Sequence, residues 1–491
     1  MSLDLLVELV HSGTTSSWED TNRQWFEQLF GAETGRYPKA AENQVKLRSP
    51  EMSDDKGVSY AAIIHKDNPT SGRYRGTSFV IFPSKGGPCL LGLVVGTDGL
   101  SPDEAILGRP GHARKAQAIA AWLNAKYGRG ERIAWAKQDP TRTEEPLPAD
   151  LPKDWPEHKP ALDRYKKEIY LLFRPTDDLA ATRAAVGCCL DLLFAERGYG
   201  PIAKYQQEAK DLEAAWFDHL MPSVEEDAVA DLLARRRFVI LQGPPGTGKT
   251  RLAVNLLQRV YRGHGQSIQF HPNTTYESFV GGLAPLHAAD ALGLRFAPEA
   301  GFLMRAAAAA LADPSRPYLL HIDEINRADL GKVLGEGLFL LEAHAEQTRV
   351  IDLPYDFGPP FHRQFHLPPN LHLLGTMNSA DRSIALVDAA VRRRFAFLSL
   401  WPRASVVAAN GCPLMQEAFT RLVSLFIEFA GDDTLPLVPG HSYFLERDNS
   451  QAPLALRTNL APLLEEYLAQ GYVGSFAEPI RSYLQWLHAK A

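Results

Sequence analysis

The chain has 491 residues, 45% of them hydrophobic and 22% charged, the balance of a soluble globular protein with two or three domains. No window holds the roughly 18 consecutive apolar residues of a membrane span, and a net charge of −6 excludes a cationic nucleic-acid binder along the whole length. That charge divides as 26 basic against 27 acidic residues over 1–200 and 26 against 31 beyond, so a local basic patch remains open.

Four cysteines (Cys89, Cys188, Cys189, Cys412) include no C-x-x-C and no zinc spacing. A disulfide framework is therefore not indicated, and a reducing compartment is expected. The opening residues lack a basic stretch and a small-residue cleavage site, so the expected location is cytoplasmic.

Residues 1–200 open with a helical stretch through Trp25 and Phe30. Short apolar segments then predict strands at Ser59–Ile64, Ser78–Phe82, Leu90–Val95 and Glu168–Phe173, with helices over Ala113–Tyr127 and Leu179–Ala195. Strands with a few helices predict an α+β N-terminal domain. Within it, Asp139–Pro160 carries six prolines. Proline fixes φ and lacks an N–H, so an extended loop or tether is expected there.

A boundary is expected within 198–222, dividing an N-terminal domain (1–200) from a core (201–400) and a helical lid (401–491). Ser223 and Glu226 have capping-box spacing ahead of a helix through Arg236. Apolar strand, Gly-rich loop and helix then alternate, the pattern of a parallel α/β core.

Phe238–Gln242 runs into Gly243, Pro244, Pro245, Gly246, Thr247, Gly248, Lys249 and Thr250, followed by an apolar helix. This is G-x-x-x-x-G-K-[ST] with a strand before and a helix after, a phosphate-binding loop. Glycines let backbone N–H groups turn onto phosphate oxygens, and the helix N-terminus adds positive potential. Lys249 supplies charge for the β- and γ-phosphates, and Thr250 a hydroxyl for Mg²⁺.

Tyr318–Ile322 reads as a buried strand ending in Asp323 and Glu324. Asp323 is placed to complete a Mg²⁺ shell and Glu324 to polarise an attacking water. A third strand, Leu371–Thr376, ends in Met377 and Asn378, whose amide can orient that water. Asp381, Arg382 and Ser383 follow, then a short helix through Leu386 and Ala390, then Arg392, Arg393 and Arg394 before an apolar strand. One of these arginines can act in trans on a neighbour's nucleotide.

With these elements in order, residues 225–485 resemble the AAA+ superfamily and, more narrowly, the McrB family of modification-dependent restriction motors. The resemblance rests on Phe270-His-Pro-Asn-Thr-Thr-Tyr276-Glu-Ser-Phe279, on Asp323-Glu-Ile-Asn-Arg327 with Gly335-Glu336, on Thr376-Met-Asn378 with Asp381-Arg-Ser383, and on Gly440-His-Ser-Tyr-Phe444 and Pro462-Leu-Leu-Glu-Glu-Tyr467.

It implies a P-loop NTPase core with a C-terminal helical lid and GTP or ATP as substrate with Mg²⁺. It also implies a hexameric ring and a separate McrC-like nuclease subunit. Lys249 and Thr250 take the phosphate and Mg²⁺ roles, Asp323 and Glu324 the Walker B roles, and Asn378 that of sensor 1. Arg392–Arg394 stand where an interface arginine is expected, and Arg457 is a candidate lid arginine.

Members of that family carry N-terminal modules that choose the target, which makes DNA, including modified DNA, the expected partner of residues 1–200. Arg73-Tyr74-Arg75 precedes a strand, and Arg109, Arg114, Lys115, Lys126, Arg129, Arg132 and Lys137 are interleaved with Trp122, Tyr127 and Trp135. Such a patch neutralises phosphates and stacks an extruded base; alternatively the tryptophans are core and the charges a solvated rim. Asp154 and Glu157-His-Lys159 look superficially like a metal-nuclease set but lie in the Pro-rich stretch, and His65, His112 and His158 read as surface residues. A MoxR-like AAA+ chaperone acting on a protein partner is the alternative function.

Overall fold

In a computed structural model the described residues are 3–13, 17–31, 33–51, 58–84, 87–142, 144–286, 295–342, 348–379 and 389–490. Asp381, Arg382, Ser383, Leu386 and Asp388 lie outside them. The chain divides into two compact units, Met1–Met221 with Ile427–Gly431, and Pro222–Phe426 with Asp432–Ala491. No helix among the described residues is long and apolar enough to cross a membrane. The four cysteines are free and buried.

The first unit is built on a six-stranded antiparallel sheet, β1 (Val45–Glu51), β2 (Tyr60–His65), β3 (Thr77–Ser84), β4 (Gly87–Val95), β5 (Ala134–Ala136) and β6 (Ile169–Phe173), in the order β1-β2-β3-β4-β6-β5. Alternation sends Ala61, Ile63, Phe79, Ile81, Leu91 and Leu93 to one face, where they pack with residues of the helices Asp4–Ser12, Trp18–Gln28, Pro110–Tyr127 and Leu179–Ala195. Ala62, Ile64, Val80, Phe82 and Leu90 point to the other face. Both faces are buried, so the central strands read as nearly continuous apolar runs.

Three features differ from the sequence expectations. The opening helical stretch is two helices, Asp4–Ser12 and Trp18–Gln28. The Pro-rich stretch is no tether: Leu147, Leu151 and Trp155 cover the second face of the sheet. Pro152, Pro156 and Pro160 sit in the first turns of the short helices Leu151–Asp154, Pro156–His158 and Lys159–Arg164, where proline's missing N–H forfeits no helix bond. The three histidines are buried: His65 beside Asp67, His112 stacked on Tyr170 and bonded to Glu196, His158 beside Glu157.

The second unit begins with helix Glu226–Arg236, whose N-cap is Glu225 without a side-chain cap bond, so Ser223 does not cap it. Its main sheet is parallel throughout, β7 (Phe238–Gly243), β8 (Gly265–Gln269), β11 (Tyr318–Asp323), β14 (Leu371–Asn378) and β15 (Ala396–Ser399), in the order β15-β7-β14-β11-β8. Two small antiparallel pairs, β9 (Gly281–Leu286) with β10 (Arg295–Ala300) and β12 (Ile351–Asp352) with β13 (Gln364–Phe365), are separate from it.

One face of the main sheet packs Val239, Leu241 and Leu319 against Val229, Leu233, Ala253 and Leu256 of two helices. The other packs Ile240, Leu320 and Leu373 with Leu303 and Ala307 of helix Phe302–Ala312. Beyond residue 403 the regular elements are helices, with Pro413–Phe429, Ala461–Ala469 and Ala477–Lys490 the longest. Parallel strands with helices on both faces place the strand C-terminal ends, and the loops after them, at one edge.

Candidate functional site

At that edge β7 ends in Gly243 and helix Lys249–Arg259 begins. Gly246 and Gly248, both at φ 80°, turn the intervening loop in a region that side chains disfavour. Lys249 is only 7% exposed, and its Nζ donates to the carbonyls of Gly243 (3.0 Å) and Pro244 (2.8 Å). Burial pushes its ammonium down to about 8, against the opposing pull of Glu324 and Asp323.

On the neighbouring strand tips, Asp323 Oδ1 accepts from Thr250 Oγ1 at 2.9 Å and from Thr376 Oγ1. Successive strand residues normally point to opposite faces. Glu324 breaks that alternation with φ 51°, and both carboxylates line the same cleft. Asn378 Nδ2 donates to Glu324 Oε1 at 2.7 Å. The buried Oε2 accepts no hydrogen bond among the described residues and lies 3.4 Å from Arg327 Nε. One carboxylate oxygen is thus fixed by an amide while the other keeps its lone pairs, the arrangement a proton acceptor needs.

Lys249, Thr250, Asp323, Glu324 and Asn378 all line one cleft of about 390 Å³. A second cleft of about 280 Å³ lies beside Thr247 and Gly248, walled by Arg251, Asn255, Trp401 and Asn410. The oxygen donors of Thr250 and Asp323 form a hard set that suits Mg²⁺ completed by phosphate and water.

The arginine run lies apart from these clefts. Arg392 and Arg393 are exposed, Arg392 over the Phe397 ring at 5.4 Å, and Arg394 donates to Ala390 O at 2.7 Å. Arg457 is exposed in the π-helical turn Leu456–Leu460 and lines neither cleft. Tyr276 donates to Glu336 at 2.9 Å, joining two of the signature stretches.

Thr376, Arg327 and His441, which lines both clefts, had no assigned role in the sequence. Their partners Asp323, Glu324 and the Arg403 N–H stand 53, 3 and 38 residues away, and only the Glu324–Arg327 spacing is local enough to be read.

With burial pushing the Lys249 ammonium down to about 8, binding of an anion beside it should weaken as pH rises past that value. A bound polyphosphate stabilises the ammonium, so the complexed lysine keeps its proton to higher pH than the free one. Nucleotide affinity should hold up to about pH 8 and then fall by up to about tenfold per pH unit. Titration calorimetry from pH 7 to 9.5 checks this; a flat profile contradicts it.

In the first unit the basic and aromatic residues do not form one open face. Trp122 is core, and Lys126 lies over the Trp122 and Tyr127 rings. Arg109 and Lys115 pair with Glu428, Arg114 donates to Ile427 O and Ala430 O, Arg132 pairs with Asp150, and Lys137 is buried. Asp154 pairs with Arg132, Glu157 with Arg174 and Lys159 with Asp163, and no metal-ligand cluster occurs among the described residues.

What stands open instead is a pocket of about 530 Å³ on the second face of the sheet, walled by Tyr60, Tyr74, Phe82 and Tyr165 with Arg73 and Arg164. Phe82 and Tyr165 have ring centroids 5.1 Å apart, and Arg48 lies 4.2 Å over Tyr60. Arg73-Tyr74 was the only sequence signal for it.

Residues 238–395 match the model of the AAA domain, dynein-related subfamily. The chain is 33% identical over 282 residues to the type IV methyl-directed restriction enzyme EcoKMcrB subunit of Escherichia coli (strain K12), covering 53% of this chain and 60% of that protein. It is 25% identical over 193 residues to the type II restriction enzyme BsuMI component YdiS of Bacillus subtilis (strain 168), covering 32% of this chain and 55% of that protein. The chain thus spans less than two thirds of the length of either relative. The AAA-domain match over residues 238–395 and the parallel sheet agree, and the second unit is similar in sequence to the McrB subunit.

Proposed function

We propose that this chain is the NTP-hydrolysing motor and target-recognition subunit of a McrBC-like restriction or anti-phage complex, acting on DNA with a separate nuclease subunit in the cytoplasm. The observation that carries the hydrolytic part is the convergence of Lys249, Thr250, Asp323, Glu324 and Asn378 on one cleft. Lys249 and the loop N–H groups of Gly243–Thr250 bind the phosphates of GTP or ATP. Thr250 and Asp323 hold Mg²⁺, which neutralises phosphate charge. Asn378 fixes Glu324, and Glu324 takes the proton of the attacking water.

Of the arginine run, Arg392 and Arg393 are exposed, which supports a role for them on a neighbouring subunit's nucleotide in the proposed hexameric ring. The relatives' standing as restriction-enzyme components supports the restriction setting.

For target recognition the aromatic pocket replaces the Trp122 patch. A cavity of about 530 Å³ has the size of a small-ligand site. Ring faces that stack a base, with arginines for the flanking phosphates, suit a nucleotide extruded from the duplex. Removing one stacking ring costs about 1–3 kcal/mol per base. Tyr74→Ala should therefore weaken binding of a duplex carrying modified cytosine by at least about fivefold, read by fluorescence anisotropy at fixed salt, whereas Arg109→Ala should not. Equal affinity of Tyr74→Ala and wild type would remove the pocket from DNA recognition.

A further inference from the structure

The segment Gly440–Phe444 lies directly against the phosphate-binding loop. The Gly440 N–H donates to Pro245 O at 2.9 Å and the Ser442 N–H to Gly246 O at 3.0 Å, two backbone rungs between segments roughly 200 residues apart. A Cβ on Gly440 would stand 2.1 Å from the Gly246 carbonyl carbon, so glycine is what allows this approach.

The docking carries His441 to the loop. Its Nε2 lies 3.6 Å from where a Cβ on Gly248 would be, and its ring walls both clefts flanking the loop. Neighbours dictate its tautomer. The Arg403 backbone N–H donates to Nδ1 at 3.3 Å, so Nδ1 is an acceptor and the proton of the neutral ring sits on Nε2. Burial, with Arg403 and Arg251 nearby, pushes the imidazole down to about 4, so the ring is neutral near pH 7. Among the described residues no acceptor is recorded for that Nε2–H.

We propose that His441 is a nucleotide-contacting residue, whose Nε2–H donates to a phosphate or ribose oxygen of the nucleoside triphosphate lying along Gly246–Lys249. The same lid segment then holds the loop through its backbone and reads the ligand through its side chain. Arg457, which lines neither cleft, is not needed for that contact. The inference rests on the nucleotide binding proposed above for this loop.

The test is equilibrium binding of the Mg²⁺ complexes of non-hydrolysable GTP and ATP analogues to the full chain, by calorimetry, for wild type, His441→Ala, His441→Gln and His441→Asn. Loss of one hydrogen bond to a charged ligand weakens binding by about tenfold or more, which is expected of His441→Ala. A glutamine amide nitrogen reaches the place of Nε2, so His441→Gln should recover to within a few-fold of wild type. Asparagine reproduces only the Nδ1 position and should stay as weak as alanine.

The opposite order, with asparagine restoring and glutamine not, means that His441 serves only to hold the Arg403 N–H, and overturns the proposal. Wild-type affinity in His441→Ala overturns it as well. Melting without nucleotide should place the glutamine and asparagine variants within a few degrees of each other, so that their contrast reports on the ligand. If wild type itself binds neither analogue, the nucleotide-binding reading fails and the inference falls with it.

Discussion

Glu324→Gln should leave nucleotide bound and slow its hydrolysis by about 10²- to 10⁴-fold, the range a positioned general base contributes. Glutamine keeps the shape of the side chain and an oxygen for the Asn378 amide, which donates to Glu324 Oε1 at 2.7 Å. It replaces the other oxygen, which accepts no hydrogen bond among the described residues, by an amide nitrogen that cannot take a proton. Binding, proposed to use Lys249 and the loop N–H groups, should be untouched, so the triphosphate should accumulate on the protein. Rapid-quench hydrolysis and filter retention of labelled nucleotide measure the two effects separately. Hydrolysis at the wild-type rate would take Glu324 out of the reaction.

Lys249→Ala should have the larger effect on binding. The ammonium is buried and held by two loop carbonyls, so a phosphate bound there, as proposed, would meet it with little water between them. Truncating one partner of such a charge pair costs about 2–5 kcal/mol, roughly 30-fold to several thousand-fold in affinity.

The fold should respond in the other direction. Burial lowers the lysine from its ordinary value of 10.5 to about 8, so at pH 7 its charge opposes folding, and that cost disappears as pH rises from about 8 to 10.5. Without nucleotide, Lys249→Ala should melt no lower than wild type at pH 7, and the wild type should gain stability over that pH window. Calorimetry and thermal melts check both halves. Retained affinity, or a large loss of stability in the variant, contradicts the account.

How much was legible in the sequence follows from how local each feature is. The phosphate-binding loop is eight contiguous residues between an apolar strand and a helix, and Asp323-Glu324 ends an apolar strand. In both cases neighbours in sequence are neighbours in space. The contacts that organise the cleft are not local: Thr376 to Asp323, Asn378 to Glu324 and Gly440 to Pro245 join loops that only the parallel sheet and the helical region bring together.

In the first unit the apolar strands β2, β3, β4 and β6 showed themselves by composition. The strand β1, Val-Lys-Leu-Arg-Ser-Pro-Glu, is a polar edge, and β5 is three residues long. Neither carries a pattern of its own. Six prolines argued for a tether, but what decides the fate of Asp139–Pro160 is Leu147, Leu151 and Trp155, which the sheet buries. The burial of His65, His112 and His158 is equally non-local. A buried imidazole needs a partner such as Tyr170 and Glu196 for His112, and nothing in the local sequence announces one.

On the proposed function, nucleotide hydrolysis in the second unit is coupled to recognition of DNA by the same chain. Phosphate release from Mg²⁺-GTP and Mg²⁺-ATP by the full chain, with and without a duplex carrying modified cytosine, tests it most directly. Mg²⁺-dependent hydrolysis of at least one of the two nucleotides is expected, faster with the duplex than without. Hydrolysis that is absent with both nucleotides, or unchanged by the duplex, would contradict it.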